Sequence, residues 1–215
     1  MADCGLIEAL SRLSKLKQHE FFMTRQSLLI LDLQNEMVDQ KGKIGAGGLA
    51  KIVEDRSVLT KAASAIERAR KNDIPVVFVR LGFRADYRDA LSVAPRLQKL
   101  KDHRAAILGT WGTEFPACIT PREDELIVTK QCVNPFHNTG LMNWLQARGV
   151  REITLGGVVT NLVVESTARA ADDAGLGVTV LEDLCAAPNP RWHEFAIENT
   201  LPLFGNVTNS DSFLK

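Results

Sequence analysis

The sequence has little cysteine: Cys4, Cys118, Cys132 and Cys185 are its only four in 215 residues, and they are far apart. That sparseness excludes a disulfide-stapled scaffold, a zinc knuckle and a thioredoxin-like pair, and points to a reducing, cytosolic setting. Charge excess is missing too. The 26 basic and 26 acidic residues cancel, so no general field draws the chain to a nucleic acid or an anionic membrane. No stretch approaches the roughly 18 uninterrupted apolar residues of a membrane span. The N-terminal MADCGLIEALSRLSKLKQHEFF lacks the apolar block and small-residue cleavage site of a secretory signal. The expectation is a soluble, unprocessed protein with no membrane or nucleic-acid partner. Neither a dinucleotide-binding glycine fingerprint nor a P-loop is present, so no cofactor is expected. His19, His103, His137 and His193 are widely separated, so no metal is expected either.

What is present is a 45% apolar composition, enough for one well-buried core. Residues 1–24 carry Leu6, Ile7, Leu10, Leu13 and Leu16 at helical spacing, which predicts an N-terminal packing arm against the domain or a second subunit. Residues 25–215 read as one domain. SLLIL from Ser27, IPVVFVR at 74–80, ELIVTK ending at Lys130, EITLGG at 152–157 and GVTVLED are short apolar runs of buried parallel strands. Helical spacing recurs between them: Leu59, Ala62, Ile66 and Ala69, then residues 139–147, 161–174 and 191–199, with a last short apolar segment at 203–207. The alternation predicts an α/β fold, a three-layer, mostly parallel, doubly wound sheet with helices on both faces and a ligand crevice at the strand carboxyl ends. The stretch from Gly82 to Pro121 shows no clean element and is expected to wall a pocket.

Asp32 follows the first strand and Lys130 ends the third, ELIVTK, so the same end of the sheet is expected to bring them together. Such a pair is either a structural ion pair or a proton-transfer site. Gln34 and Asn35 follow Asp32, where they contact substrate or satisfy the turn; Arg80 and Arg84 are candidates for a substrate carboxylate or solvated ends. Trp111 and Phe136 wall a substrate or pack in the core, and Thr139 caps the following helix or binds ligand. Cys132 shares a face with Lys130 if the strand continues, and the ammonium would then favour its thiolate. Cys118 and Cys185 read as structural or incidental.

LILDLQNEM, VTKQCVNPFHNTGL and GGVVTNLVVESTARAADDAGLGVTVLEDLCAA together resemble the isochorismatase-like cysteine hydrolase family, over Ser27 to about Asn206. The resemblance implies a hydrolytic triad of Asp, Lys and Cys. Asp32 and Lys130 match its first two positions, and Val163 stands where the family has its nucleophilic cysteine. Valine cannot attack a carbonyl. The resemblance further implies a cis peptide between Val158 and Val159, backbone N–H groups of Val159 and Val163 aimed at an anion, and a homo-oligomer. The Asp-x-His pattern of metal-dependent nicotinamidases is absent. Three functions remain open. One is a non-thiol hydrolase of a small carboxylated or carbonyl-containing metabolite, with Asp32 as general acid, as in vinyl-ether hydrolysis. The second is a metabolite-binding pseudoenzyme, and the third an amide hydrolase with Cys132 as a relocated nucleophile.

Overall fold

In a computed structural model of the protein, residues 25–91 and 93–214 are described; the N-terminal arm expected at 1–24 lies outside them. Six strands form one all-parallel sheet: β1 (Arg25–Leu31), β2 (Val76–Leu81), β3 (Leu126–Lys130), β4 (Val150–Val158), β5 (Gly177–Ala186) and β6 (Asn206–Thr208). Their spatial order is β3-β2-β1-β4-β5-β6, the expected doubly wound topology. The order reverses between β1 and β4, which leaves a crevice beyond their carboxyl ends.

The apolar runs follow from burial on both faces. Alternation along β1 sends Leu28 and Ile30 to one side, where they join Val58, Ala62, Ala65, Ile66 and Ala69 of the helix Val58–Lys71. Leu29 and Leu31 face the other side, against Leu141 and Leu145 of Leu141–Ala147 and Ala168 and Ala171 of Glu165–Asp173. These helices are α3, α5 and α6; the shorter α1 (Asn35–Val38) and α2 (Leu49–Asp55) precede them, α4 is Pro95–Asp102, and α7 is Pro190–Phe195. Shortening any of the fully buried β1 leucines to alanine would cost about 2 to 5 kcal/mol.

Several boundaries differ from the sequence reading. The Gly82–Pro121 stretch carries α4 and 3-10 turns at Trp111–Thr113 and Ala117–Ile119. Only Leu97 of the eight residues of α4 is fully buried, too thin a stripe for periodicity to expose. The helix expected at 161–174 opens as a π turn, Thr160–Val164, before α6, and Thr167 Oγ1 donates to Val163 O at 2.5 Å. The helix expected from Thr139 starts at Leu141 with Gly140 as its N-cap; Thr139, expected to cap it, lies one residue further out and accepts from Leu141 N–H at 3.3 Å. The helix expected at 191–199 divides into α7 and a π turn at Ala196–Thr200. Leu201–Leu203 is a 3-10 turn, and β6 begins only at Asn206.

Candidate active site

The crevice is built at three strand ends. Asp32 leaves β1 with φ 54°, a left-handed conformation that Asp tolerates better than most residues, and its N–H donates to Val79 O at 2.9 Å. Lys130 is the last residue of β3, in register with Leu81 on the intervening β2. On the far side, β4 ends in Gly157, Val158 and the π turn, and the Val158–Val159 peptide is cis, as the resemblance implied. Gly157 has φ 149°, and a Cβ there would stand 2.0 Å from Leu31 O, so only glycine lets β4 approach β1 this closely.

Lys130 Nζ donates to Asp32 Oδ2 at 2.7 Å and to Cys132 O at 3.1 Å. Both partners are buried, Asp32 4% exposed and Lys130 1%. Asp32 Oδ1 is buried with no hydrogen-bond partner among the described residues. Burial pushes the Asp32 carboxyl above its ordinary range, and the charge and hydrogen bond of Lys130 pull against that without cancelling it. The net direction is toward the protonated acid, which an ordinary surface salt bridge would never favour.

Asp32 and Lys130 border a cleft of about 170 Å³ together with Val159 and Val163. Much of the remaining wall is aliphatic or aromatic, including Leu81, Phe83, Leu97 and Leu100. Val163 is 2% exposed and supplies a small apolar surface beside the carboxyl. Among the described residues that border the cleft, Cys132 is the only one with a thiol or hydroxyl side chain. Its expected activation by Lys130 does not follow. Burial raises the thiol's pKa by more than Lys130, the largest lowering influence, reduces it, and Sγ donates to Asn134 O at 3.1 Å. Cys118 is exposed, and the fully buried Cys185 thiol is pushed up to about 12, chiefly by burial.

Other candidates fall elsewhere. Gln34 is fully buried and structural: its Nε2 donates to Leu81 O and Gly112 O, and its Oε1 accepts from Leu81 N. Asn35 Nδ2 donates to Trp111 O at 3.0 Å; Asn35, Arg80 and Trp111 border a separate depression with Glu114 and Phe115. Arg80 donates to Thr129 Oγ1 and Thr113 O. Arg84 is exposed and pairs with Asp86 at 3.3 Å. Phe136 is half-buried and packs into the second core. None of Gln34, Asn35, Arg84, Trp111 and Phe136 borders the cleft. Among the described residues, no three His, Cys, Asp or Glu side chains converge as a metal site.

Two features escaped the sequence reading. Arg96 on α4 borders the cleft, hidden in a stretch with no recognisable periodicity. Glu36, 4% exposed, accepts from the N–H groups of Lys43 at 2.6 Å and Ala106 at 2.8 Å, which ties α1 to the long insertion. A glutamate just after a strand loop carries no signal of such a distant contact.

Known proteins share this arrangement at the level of family and fold. Residues 26–212 match the isochorismatase domain. The chain is 29% identical over 191 residues to the uncharacterized isochorismatase family protein YecD of Escherichia coli O157:H7, covering 87% of this chain and 94% of that protein. It is 27% identical over 199 residues to the ureidoacrylate amidohydrolase RutB of Methylorubrum extorquens, covering 86% and 80%. Among solved structures, an isochorismatase-like hydrolase from Alkaliphilus metalliredigens superimposes with a TM-score of 0.72 at 26% identity, covering 88% of this chain and 97% of that one. With the match running through every strand and both sides of the cleft, this chain belongs to the isochorismatase family.

Proposed function

We propose that the chain is a non-thiol hydrolase of a small metabolite, with Asp32 as general acid. The observation that carries this reading is the asymmetry of the Asp32 carboxyl: Lys130 holds Oδ2, while Oδ1 is buried beside the cleft without a partner among the described residues. A carboxyl whose pKa is raised by burial retains a proton nearer neutral pH, as a general acid requires. Val163 occupies the family's nucleophile position in this reading, so no thioester forms there.

The chemistry suited to these groups is acid-catalysed cleavage of an enol ether. Oδ1–H donates its proton to the terminal carbon of the C=C bond, and the ether carbon becomes an oxocarbenium ion. The carboxylate left behind is stabilised by Lys130. Water adds to the cation and returns a proton to Asp32; the hemiketal then collapses to an alcohol and a carbonyl product. Backbone N–H groups of Val159 and Val163 would hold a substrate anion, while the apolar wall limits water around the acid.

A second reading, amide hydrolysis with Cys132 as nucleophile, draws on one observation: among the described residues bordering the cleft, only Cys132 has a thiol or hydroxyl side chain. It would also parallel the amidohydrolase name of the Methylorubrum relative. The raised thiol pKa disfavours it. Mass spectrometry of a small-metabolite panel incubated with the wild-type protein and Asp32→Asn tests the proposal by reporting the bond that changes. Enol-ether cleavage lost in Asp32→Asn is the expected result. Saturable binding with no product from any compound would point to a pseudoenzyme instead.

A further inference from the structure

The cleft contains an unbalanced charge. Among the described residues, the charged and amide side chains that border it are those of Asp32, Lys130, Gln131 and Arg96. Lys130 is engaged by Asp32 at 2.7 Å and by Cys132 O at 3.1 Å, and Gln131 Nε2 donates to Gly82 O at 3.2 Å. Arg96 has no ion-pair partner among the described residues, and no second acid borders the cleft to balance it. Its own helix explains the placement: Leu97 is 3% exposed and anchors α4, and Leu97 and Leu100 both border the cleft beside Arg96. Arg96 is itself exposed, and its charge is one of the lesser influences that lower the Cys132 pKa.

Building on the hydrolase reading of this cleft, we infer that Arg96 is the specificity-determining residue for an anionic substrate, with a carboxylate as the favoured group. An arginine fork matches a carboxylate with two parallel N–H donors, and weakly hydrated guanidinium gives up water more readily than an ammonium. Solvent screens part of the charge of this exposed arginine, and the adjoining Leu97 and Leu100 supply an apolar surface for the ligand's body. The resulting substrate class is a compact carboxylate with an apolar body, a carboxylate group at Arg96 and its reacting bond at Asp32. This reassigns the carboxylate contact expected of Arg84, which is engaged with Asp86 outside the cleft.

Three unreactive probes of similar apolar length, hexanoate, hexanol and hexylammonium, test the inference without turnover. Their binding is followed by NMR titration of the methyl groups of Leu97, Leu100 and Val133. Wild-type protein should bind hexanoate about tenfold more tightly than hexanol, and hexylammonium weakest, as one charge-assisted contact implies. Arg96→Gln should remove the preference for hexanoate, and Arg96→Glu should reverse the order of the two charged probes. Arg96→Lys should retain the order with weaker discrimination. Equal binding of hexanoate and hexanol, an order unchanged in Arg96→Glu, or no hexanoate-induced shift at these methyl groups would each overturn it. Because no bond is cleaved, failure of the hydrolase reading in the metabolite screen would leave this binding order separately decided.

Discussion

Lys130 Nζ lies 2.7 Å from Asp32 Oδ2, while Asp32 Oδ1, equally buried, has no partner among the described residues. One carboxyl oxygen is therefore anchored, and the other is the one to which the proposed mechanism gives the proton. A purely structural pair would be expected to satisfy both oxygens, because an unsatisfied buried acceptor costs about 1 to 3 kcal/mol. The relationship links β1 and β3, which are not neighbours in the sheet, through two residues 98 positions apart.

Removing only the cation should expose that coupling in stability. Lys130→Met leaves a buried carboxyl without its counter-charge, and a loss of about 3 to 5 kcal/mol is expected near neutral pH. The sign follows from Asp32. Its folded pKa is already raised above the unfolded value, and losing Lys130 raises it further. The folded variant then holds a proton that the unfolded chain releases, so its stability falls as pH rises from the ordinary carboxylate range toward neutrality. Urea denaturation of Lys130→Met at acidic and neutral pH should show the larger loss at neutral pH. Asp32→Asn combined with Lys130→Met should recover most of it.

Cys132→Ser should leave activity within about threefold of wild type, since the thiol's raised pKa keeps it protonated. Single-turnover rates and intact-mass measurement with an electrophilic probe provide the check. Near-complete loss of turnover, together with probe mass at Cys132, would establish the relocated nucleophile instead.

His193 predicts an acid-sensitive element behind the π turn. It is 6% exposed, its Nδ1 is 2.8 Å from Thr160 Oγ1, and its Nε2 is 3.5 Å from Glu182, which Arg56 also engages. Burial, assisted by the Arg56 charge, holds its pKa below the ordinary value despite the opposing carboxylates of Glu182 and Glu194. The unfolded chain therefore binds a proton first as pH falls. Stability contributed by neutral His193 is complete above about pH 6.5 and is lost as the pH drops below it. Denaturation midpoints between pH 7.5 and 5 should decline less steeply in His193→Gln; identical slopes would contradict the prediction.

Placing a thiol at Val163, the position to which the resemblance assigns the nucleophile, tests the geometry there. Val163→Cys should react with a small alkylating reagent faster than Cys132, and Lys130→Met should slow that reaction by removing the nearby cation. Peptide mapping after timed alkylation measures both rates. A Val163→Cys thiol no more reactive than Cys132 would show that the cleft has diverged beyond one side chain.

The fold was legible wherever an apolar run or a helical stripe was uninterrupted. Ser27–Leu31 and the Leu59, Ala62, Ile66 and Ala69 series carry their burial in their spacing, and Asp32 and Lys130 stand out as charges closing apolar strands. The cleft wall was less legible. Arg96 sits on a helix with one fully buried residue, so neither periodicity nor charge marks it against Arg84 or Arg88 nearby. Gln34 looked like a substrate ligand because loop polarity does not reveal three backbone contacts supplied from Leu81 and Gly112. Cys132 borders the cleft, but the strand ends at Lys130, so the extended run on which the spacing argument depended does not continue, and the thiol's ionisation depends on burial that a two-residue interval cannot encode.

The most direct measurement is the pH dependence of kcat/KM for enol-ether hydrolysis by the wild-type protein, with Asp32→Asn alongside. Proton donation from Asp32 requires a rate that falls as pH rises through a single ionisation above the ordinary carboxylate range. Asp32→Asn should lower the rate by about a hundred- to ten-thousandfold while still binding hexanoate. A rate that instead increases with pH, or an Asp32→Asn variant that retains full activity with the same profile, would contradict Asp32 as the acid.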